Sequence, residues 1–302
     1  MYKRKKAPCA VALGCFDGLH KGHMAVVRAA LSFKDRGFAP HVLLFDIHPQ
    51  KILNGGPPPE LLTLENQKSI VKELGLEPMI VKFEKICKMS PEKFVLDFLV
   101  KKHNVAAICC GYNYHFGSNG LGDVKTLEKI CTSNDIELRI ASKVEYKGSA
   151  ISSTRIRQAI VQGEIEDANA MLGRCFFYDF TVVSGDKIGR LIGSPTINQH
   201  FPKRFIVPKF GVYASKTYVN GSWQASVTNI GRRPSFASDE LRSETCILGF
   251  SGDLYKTNTT VCLLKYLRGE EKFANLDELK AQIKKDSASA LKVFEKKRYN
   301  IT

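Results

Sequence analysis

The stretch GCFDGLHKGH, residues 14–23, follows the apolar run CAVAL and precedes apolar residues with helical spacing. A short apolar run that passes through glycines into a helix is typical of the first strand, turn and helix of a parallel α/β sheet. In such a sheet this turn faces the ligand crevice, and the start of the helix offers backbone N–H groups to an anion. The stretch therefore predicts a phosphate site near the N-terminus.

Two patterns divide the chain at about Gly173. Before it, apolar strand-like runs alternate with helical patterns, which indicates βαβ units on a parallel sheet. After it come short strands punctuated by glycines and one amphipathic helix over roughly 276–294, which indicates a small antiparallel barrel. We therefore expect an α/β + β fold, with a Rossmann-like parallel-sheet domain at 1–173 and a small antiparallel β-barrel domain with a C-terminal helix at 174–302.

Composition narrows the class of protein. The chain has 302 residues and no apolar run near the roughly 18 residues of a membrane span. We expect no export signal, and nine cysteines in apolar runs predict reduced thiols and a cytoplasmic location. A net charge of +15 favours anionic partners, but the basic residues are scattered, which argues against nucleic acid as the main one. Small-molecule substrates are expected, without membrane binding, and the oligomeric state stays open.

His20 and His23 are spaced to lie on one face of the first helical turn, where both imidazoles can donate hydrogen bonds to phosphate. Gly14 and Gly18 allow the backbone to approach a ligand closely. A plain glycine turn with two polar histidines is the alternative. The arrangement resembles the HxGH signature of the nucleotidyltransferase superfamily, whose members transfer AMP or CMP without a covalent enzyme intermediate.

The stretch ISSTRIR, residues 151–157, begins the last helix of the first half. Its serines can cap the helix. Arginines at a helix start oppose the helix dipole, so Arg155 and Arg157 need another reason, which an anionic ligand would supply. The corresponding serine-threonine-arginine motif of the same superfamily reaches the phosphates of ATP.

The stretch GRLIGSPTINQHFP, residues 189–202, begins the second half with a glycine turn. Thr196 and Asn198 are two apart on an extended segment, so their side chains project to one side, where they can hold Mg²⁺ and a phosphate oxygen. An ordinary turn explains the same residues equally well.

Taken in order, GCFDGLHKGH, ISSTRIR, PTIN and ETCILGFSGDLY resemble the bifunctional riboflavin kinase/FAD synthetase family of bacteria over essentially the whole chain. The resemblance implies an FMN adenylyltransferase domain at 1–173 and a riboflavin kinase domain at 174–302. The second would phosphorylate riboflavin from ATP, and the first would join AMP to FMN with release of pyrophosphate. It implies Mg²⁺ as cofactor and ATP, riboflavin and FMN as substrates.

The resemblance also assigns roles to residues. Glu244 matches the catalytic base of the kinase, while His20, His23 and Arg155 match the catalytic residues of adenylyl transfer. Thr196 and Asn198 match residues that bind Mg²⁺ and ATP. The implied nucleotide-binding residues are Gly14, Phe16, Asp17, Gly18, Gly22, Ser153, Thr154, Gly189, Thr196 and Asn198. The implied flavin-binding residues are Phe45, His48, Pro49, Asn113 and Arg268.

Several positions depart from the family pattern. Cys15 stands where asparagine is common, and Leu44 and Ile47 replace a threonine and a proline near the implied flavin site. One alternative is therefore an active flavokinase whose adenylyltransferase domain is weakened or redirected to another phosphate substrate. Another is a non-catalytic flavin- or RNA-binding regulator, although a pure binder has no need of a catalytic carboxylate at Glu244.

Overall fold

The computed structural model describes residues 7–53, 56–185, 193–234 and 239–296. The chain forms two compact units that divide between Ser153 and Thr154. Among the residues of these four ranges, no helix combines the length and the apolar character needed to cross a membrane.

The first unit contains the expected parallel sheet, with the strand order β3-β2-β1-β4-β5. Its strands are β1 (Cys9–Leu13), β2 (Ala39–Phe45), β3 (Glu77–Val81), β4 (Val105–Gly111) and β5 (Glu137–Ala141). The connecting helices are α1 (Lys21–Leu31), α2 (Gln50–Leu53), α3 (Leu64–Glu73), a π-helix (Lys93–Lys102) and α4 (Val124–Thr132). A two-stranded hairpin, β6 (Glu145–Tyr146) and β7 (Ser149–Ala150), follows the sheet.

Burial of the central strand β1 explains why its sequence is continuously apolar. All five of its residues are buried, because the sheet is covered on both faces. Val11 and Leu13 belong to a hydrophobic cluster that includes Leu43 of β2 and Ile108 of β4. The strand order reverses at β1, which places the turn of residues 14–20 at the position where open α/β sheets bind ligands.

Two helices differ from the sequence expectation. The apolar spacing after residue 20 predicts a first helix from about Lys21 to Arg36, but the helix ends at Leu31, and the short turn that follows stops at Gly37, whose φ is +82°. The stretch STRIRQAIVQGEIEDANAML, residues 153–172, predicts one continuous helix, but there are two, α5 (Ser153–Gln162) and α6 (Ile165–Leu172). Gly163 separates them with a φ of +82°, a left-handed conformation that ends helices.

The second unit contains the expected antiparallel barrel, which is closed in the order β10-β11-β12-β9-β8-β13. Its strands are β8 (Phe176–Val183), β9 (Ile197–His200), β10 (Gly211–Val219), β11 (Ser222–Pro234), β12 (Asp239–Ile247) and β13 (Asn258–Arg268). Asn220 and Gly221 both have positive φ in the turn between β10 and β11, as a type I′ hairpin requires. The C-terminal helix α7 (Leu276–Lys296) packs on β10, β11 and β13.

Hydroxyl groups line part of the barrel interior. Ser215 Oγ lies 2.8 Å from both Ser226 Oγ and Thr228 Oγ1, and Thr228 Oγ1 lies 2.9 Å from Thr245 Oγ1. All four residues are buried, so these hydrogen bonds satisfy polar groups that water does not reach. The chain of hydroxyls ends at Thr245, next to Glu244 in β12.

Candidate active sites

Three loops meet at the carboxyl edge of the parallel sheet. They follow β1, β2 and β4, which are neighbours in the sheet. Cys15 Sγ in the first loop lies 3.4 Å from His48 Nε2 in the second. The third loop begins beside the first, because Leu13 at the end of β1 pairs with Cys110, one residue before the end of β4. Residues 14–23 and the implied flavin residues of this unit thus lie at the same edge of the sheet.

The turn after β1 has an unusual backbone. Phe16, Gly18 and Leu19 have φ values of 50°, 81° and 41°, and the side chains of Phe16 and Leu19 are fully buried. A positive φ costs a non-glycine residue about 1–2 kcal/mol, so these buried side chains hold the turn in its conformation. Leu19 N also donates to Phe16 O at 3.2 Å. The turn is therefore built into the fold before any ligand binds.

Asp17 connects this turn to two other segments. Its Oδ1 accepts a hydrogen bond from Leu61 N at 3.2 Å, and its backbone carbonyl accepts one from Ser153 Oγ at 2.8 Å. Asp17 is 4% exposed, and its contact with Leu61 is buried whereas that with Ser153 is partly buried. Asp17 and Ser153 were expected to bind nucleotide. In the structure, their contacts hold the turn in place.

His20 and His23 stack on each other at the start of α1. Their ring centroids are 3.6 Å apart with an interplanar angle of 14°. His20 is the N-cap of the helix, and its Nδ1 accepts a hydrogen bond from His23 N at 3.2 Å. Because Nδ1 accepts, a neutral His20 carries its proton on Nε2. The expected shared face is present, but the capping role of His20 was not expected, because imidazole is not a usual cap.

The glycines of the turn are packed closely. A Cβ on Gly22 would lie 3.1 Å from His20 Cε1, and one on Gly14 would lie 3.2 Å from the Phe16 ring. A Cβ on Gly18 would lie 2.8 Å from Leu61 Cδ1. The lack of side chains at these positions thus allows the histidine and the phenylalanine to pack against the backbone.

The expected flavin residues of this unit lie in the other two loops. Phe45 ends β2 and packs edge-on against Phe83, with the ring centroids 5.1 Å apart. His48 accepts a hydrogen bond from Gln50 N, and Pro49 directly precedes α2. Asn113 is exposed in the loop after β4.

Three expected residues are not placed in either site by the described contacts. Thr154 and Arg155 lie in the first turn of α5, beyond the division between the two units. Gly189 falls outside the described residues. Their nucleotide-binding and catalytic roles stay predictions.

The barrel has a cavity of about 510 Å³ next to β9 and β12. Thr196, expected to bind Mg²⁺ and ATP, lines it. So does the hydroxyl-bonded Thr245. The other lining residues are Val182, Pro195, Ile197, Ile247, Phe250, Ser251, Gly252, Asp253, Leu254 and Tyr255. The turn from Phe250 to Tyr255 was given no role of its own, although it belongs to the stretch ETCILGFSGDLY that carries the family resemblance.

Glu244 and Asn198 are directly opposite each other in the antiparallel pairing of β12 with β9. Directly opposed side chains on neighbouring strands have Cβ atoms about 4.5–5.5 Å apart, so the expected base and the expected metal ligand are neighbours. Asn198 is buried, and a Cβ on Gly185 would collide with its amide. The glycine therefore leaves room for the amide.

The Glu244 carboxylate is paired with a cation on its own strand. Arg242 Nη2 lies 2.8 Å from Glu244 Oε1, and the two side chains are 11% and 33% exposed. The sequence interpretation overlooked Arg242. The available signal was its position two residues before Glu244, which puts both side chains on one face of a strand.

Arg268, expected to contact flavin, donates hydrogen bonds to Asp286 in the C-terminal helix. Its Nη2 and Nε lie 2.9 and 3.2 Å from Asp286 Oδ2, and Gln282 Nε2 donates to Asp286 Oδ1 at 2.9 Å. Asp286 is 5% exposed and the Arg268 side chain 17%, so this pair joins β13 to α7 largely shielded from water.

The described residues offer oxygen donors rather than a metal cluster. Across the part of the chain that the structure describes, no three His, Cys, Asp or Glu side chains are grouped to hold a metal ion. Thr196 lines the barrel cavity, while Asn198 and Glu244, which are not among its lining residues, are opposite each other on the adjoining strands β9 and β12 and add amide and carboxylate oxygens. Such donors fit Mg²⁺, which usually completes its coordination with water and substrate phosphates.

The two units match two protein families. A family model for FAD synthetase matches residues 2–155, and one for riboflavin kinase matches residues 172–294. The chain belongs to the bifunctional riboflavin kinase/FMN adenylyltransferase family. A relative of that name from Listeria monocytogenes is 36% identical over 95% of this chain and 92% of the relative. One from Bacillus subtilis is 33% identical over 97% and 95%.

A solved structure is similar over the same length. The crystal structure of a protein named as a macrolide-efflux protein from Streptococcus pneumoniae has a TM-score of 0.86 and 29% identity, and the match covers 95% of each chain. Together the comparisons confirm the resemblance on which the expectations for fold and family rest.

Proposed function

We propose that the two activities of the family occur at separate sites in this chain. At the site of residues 14–23, AMP from ATP is joined to FMN. At the barrel cavity, riboflavin is phosphorylated by ATP to FMN. The chain thus converts riboflavin to FAD in two steps, with pyrophosphate released in the second. We assign adenylyl transfer to 1–173 and the kinase to 174–302, although the compact units divide earlier, at Ser153.

Adenylyl transfer needs no general base, because the attacking phosphate of FMN is already an anion. The protein must instead align the two phosphates and stabilise the charge that develops on the α-phosphate of ATP. His20 is suited to this, since its Nδ1 accepts from His23 N and its Nε2 carries the proton that can be donated. The start of α1 adds backbone N–H groups and the favourable end of the helix dipole.

The kinase step needs a proton acceptor, because a primary hydroxyl attacks the γ-phosphate. Glu244 accepts the proton of the riboflavin 5′-hydroxyl in this proposal. Thr196 and Asn198 hold Mg²⁺, which when bound neutralises negative charge on the phosphate oxygens. The observation that carries the assignment is the pairing of Glu244 opposite Asn198 beside the cavity lined by Thr196.

The subcellular location and the class of substrate are inferred from the cysteines and the basic residues. All nine cysteines are free thiols, which supports a cytoplasmic location. The scattered basic residues support small anionic substrates rather than nucleic acid.

The proposal is tested by incubating the purified protein with riboflavin, ATP and Mg²⁺ and separating FMN and FAD by chromatography over time. We expect FMN first and FAD after it, with both absent when EDTA replaces Mg²⁺. FMN without FAD would support the alternative of a weakened or redirected adenylyltransferase. Binding of flavin without either product would support a regulator.

A further inference from the structure

We infer that Arg242 is a positioning residue that orients the Glu244 carboxylate for the kinase reaction. This inference rests on the proposed role of Glu244 as proton acceptor. It concerns a residue to which the resemblance gave no role.

The geometry of the pair carries the inference. Arg242 and Glu244 lie two apart in β12, and Arg242 Nη2 is 2.8 Å from Glu244 Oε1. An ion-pair contact at Oε1 favours carboxylate orientations that keep this oxygen on the guanidinium and leave the second oxygen, Oε2, available to substrate. A general base needs one oxygen within hydrogen-bond reach of the hydroxyl proton, so a carboxylate held in this way can accept at Oε2 without losing its partner at Oε1.

Burial makes Arg242 suitable for this role. Its side chain is 11% exposed, whereas that of Glu244 is 33% exposed. The guanidinium is therefore largely covered by the protein, while the carboxylate is more open to solvent. An ion pair with one buried member is also less screened by salt than a surface pair.

The neighbouring strands add a second reason. Arg242 is opposite His200 in β9 and Gly231 in β11, whereas Glu244 is opposite Asn198 and Asn229. The cation thus lies two residue pairs farther along the strands than the expected metal ligand Asn198. A fixed Glu244 carboxylate keeps its distance from Asn198, which a freely rotating side chain would not.

The test is a double-mutant cycle on riboflavin phosphorylation. It compares wild type, Arg242→Gln, Glu244→Gln and the double variant, with kcat and KM for riboflavin measured at saturating ATP and Mg²⁺. We expect Arg242→Gln to lower kcat about 10- to 10²-fold, the scale for misplacing a catalytic group, and to leave KM nearly unchanged. Arg242→Lys keeps a cation that can reach one carboxylate oxygen, so it should recover most of the lost kcat.

The double variant separates positioning from a general structural effect. If Arg242 acts through Glu244, removing it from the Glu244→Gln protein causes no further loss of kcat. An equal loss in both backgrounds, or wild-type kcat in Arg242→Gln, overturns the inference. Wild-type kcat in Glu244→Gln instead refutes Glu244 as the base, which is a separate failure of the proposed function.

Two further variants serve as controls for misfolding and for net charge. Arg242→Met removes the charge but keeps an apolar side chain in the buried position, so it replaces Arg242→Gln in the cycle if the latter does not fold. Lys265→Gln removes a half-exposed cation from the same unit, and its kcat should equal that of wild type. A loss in Lys265→Gln equal to that in Arg242→Gln would show that net charge, rather than position, matters, and would also overturn the inference.

Discussion

Replacing Gly18 by alanine should destabilise the first unit and damage the site of residues 14–23. The φ of Gly18 is +81°, which costs an alanine about 1–2 kcal/mol. Its Cβ would also lie 2.8 Å from Leu61 Cδ1, and Leu61 is 2% exposed and cannot move into solvent. Overpacking of this kind costs about 1–3 kcal/mol. The two contributions predict a loss of about 2–5 kcal/mol in the free energy of unfolding.

The damage should extend to catalysis. Leu61 N donates to Asp17 Oδ1, and the Asp17 carbonyl accepts from Ser153 Oγ, so a displaced Leu61 disturbs the contacts that hold the turn before His20. We therefore expect Gly18→Ala to lower FAD formation from FMN and to leave riboflavin phosphorylation unchanged. Both products can be measured by chromatography on one sample.

Gly37→Ala is the matched control. Gly37 also has a φ of +82°, but a Cβ there would have no atom within 4 Å. Gly37→Ala should lower the free energy of unfolding by only the backbone contribution of about 1–2 kcal/mol and leave FAD formation unchanged. Hydrogen exchange of the β1 and β4 amides reports local stability in the first unit. Equal protection factors and equal FAD formation in the two variants would refute the packing argument at Leu61.

Three other outcomes follow from the structure. His20→Ala should lower FAD formation about 10²- to 10³-fold, the scale for one lost transition-state donor, with FMN formation near normal by the same chromatography. Asp286→Ala removes the buried carboxylate that pairs with Arg268 and should lower the free energy of unfolding by about 3–5 kcal/mol, measured by urea denaturation of the barrel. Iodoacetamide at pH 8 should label the exposed Cys15 before Cys109, because burial raises the pKa of Cys109 to about 12, and mass spectrometry of brief labelling checks the order.

The fold was predictable where one local pattern determines it. The continuous apolar residues of β1 indicate a strand buried on both faces, and the glycines after it indicate the turn at the crevice. The break at Gly163 was missed, because a glycine inside a helical pattern is often tolerated and only its φ of +82° ends the helix. Closure of the barrel depends on pairing between distant strands, which alternation within each strand does not encode.

The sequence predicted which types of residue form the site, but it predicted few of the contacts between them. The shared face of His20 and His23 follows from helical spacing. The hydrogen bond from Leu61 N to Asp17 joins residues 44 apart in the chain, and no local pattern indicates it. The flavin contact of Arg268 stays a prediction, whereas its pairing with Asp286 depends on where α7 packs, which the sequence pattern does not specify.

The central claim, that one chain carries two separate sites, is tested most directly by Glu244→Gln. The variant keeps the shape of the side chain but removes the proton acceptor, so FMN formation from riboflavin should fall about 10²- to 10⁴-fold. The same protein supplied with FMN and ATP should form FAD at the wild-type rate, because that reaction needs no base from the barrel. Wild-type phosphorylation of riboflavin, or a parallel fall in FAD formation, would contradict the claim.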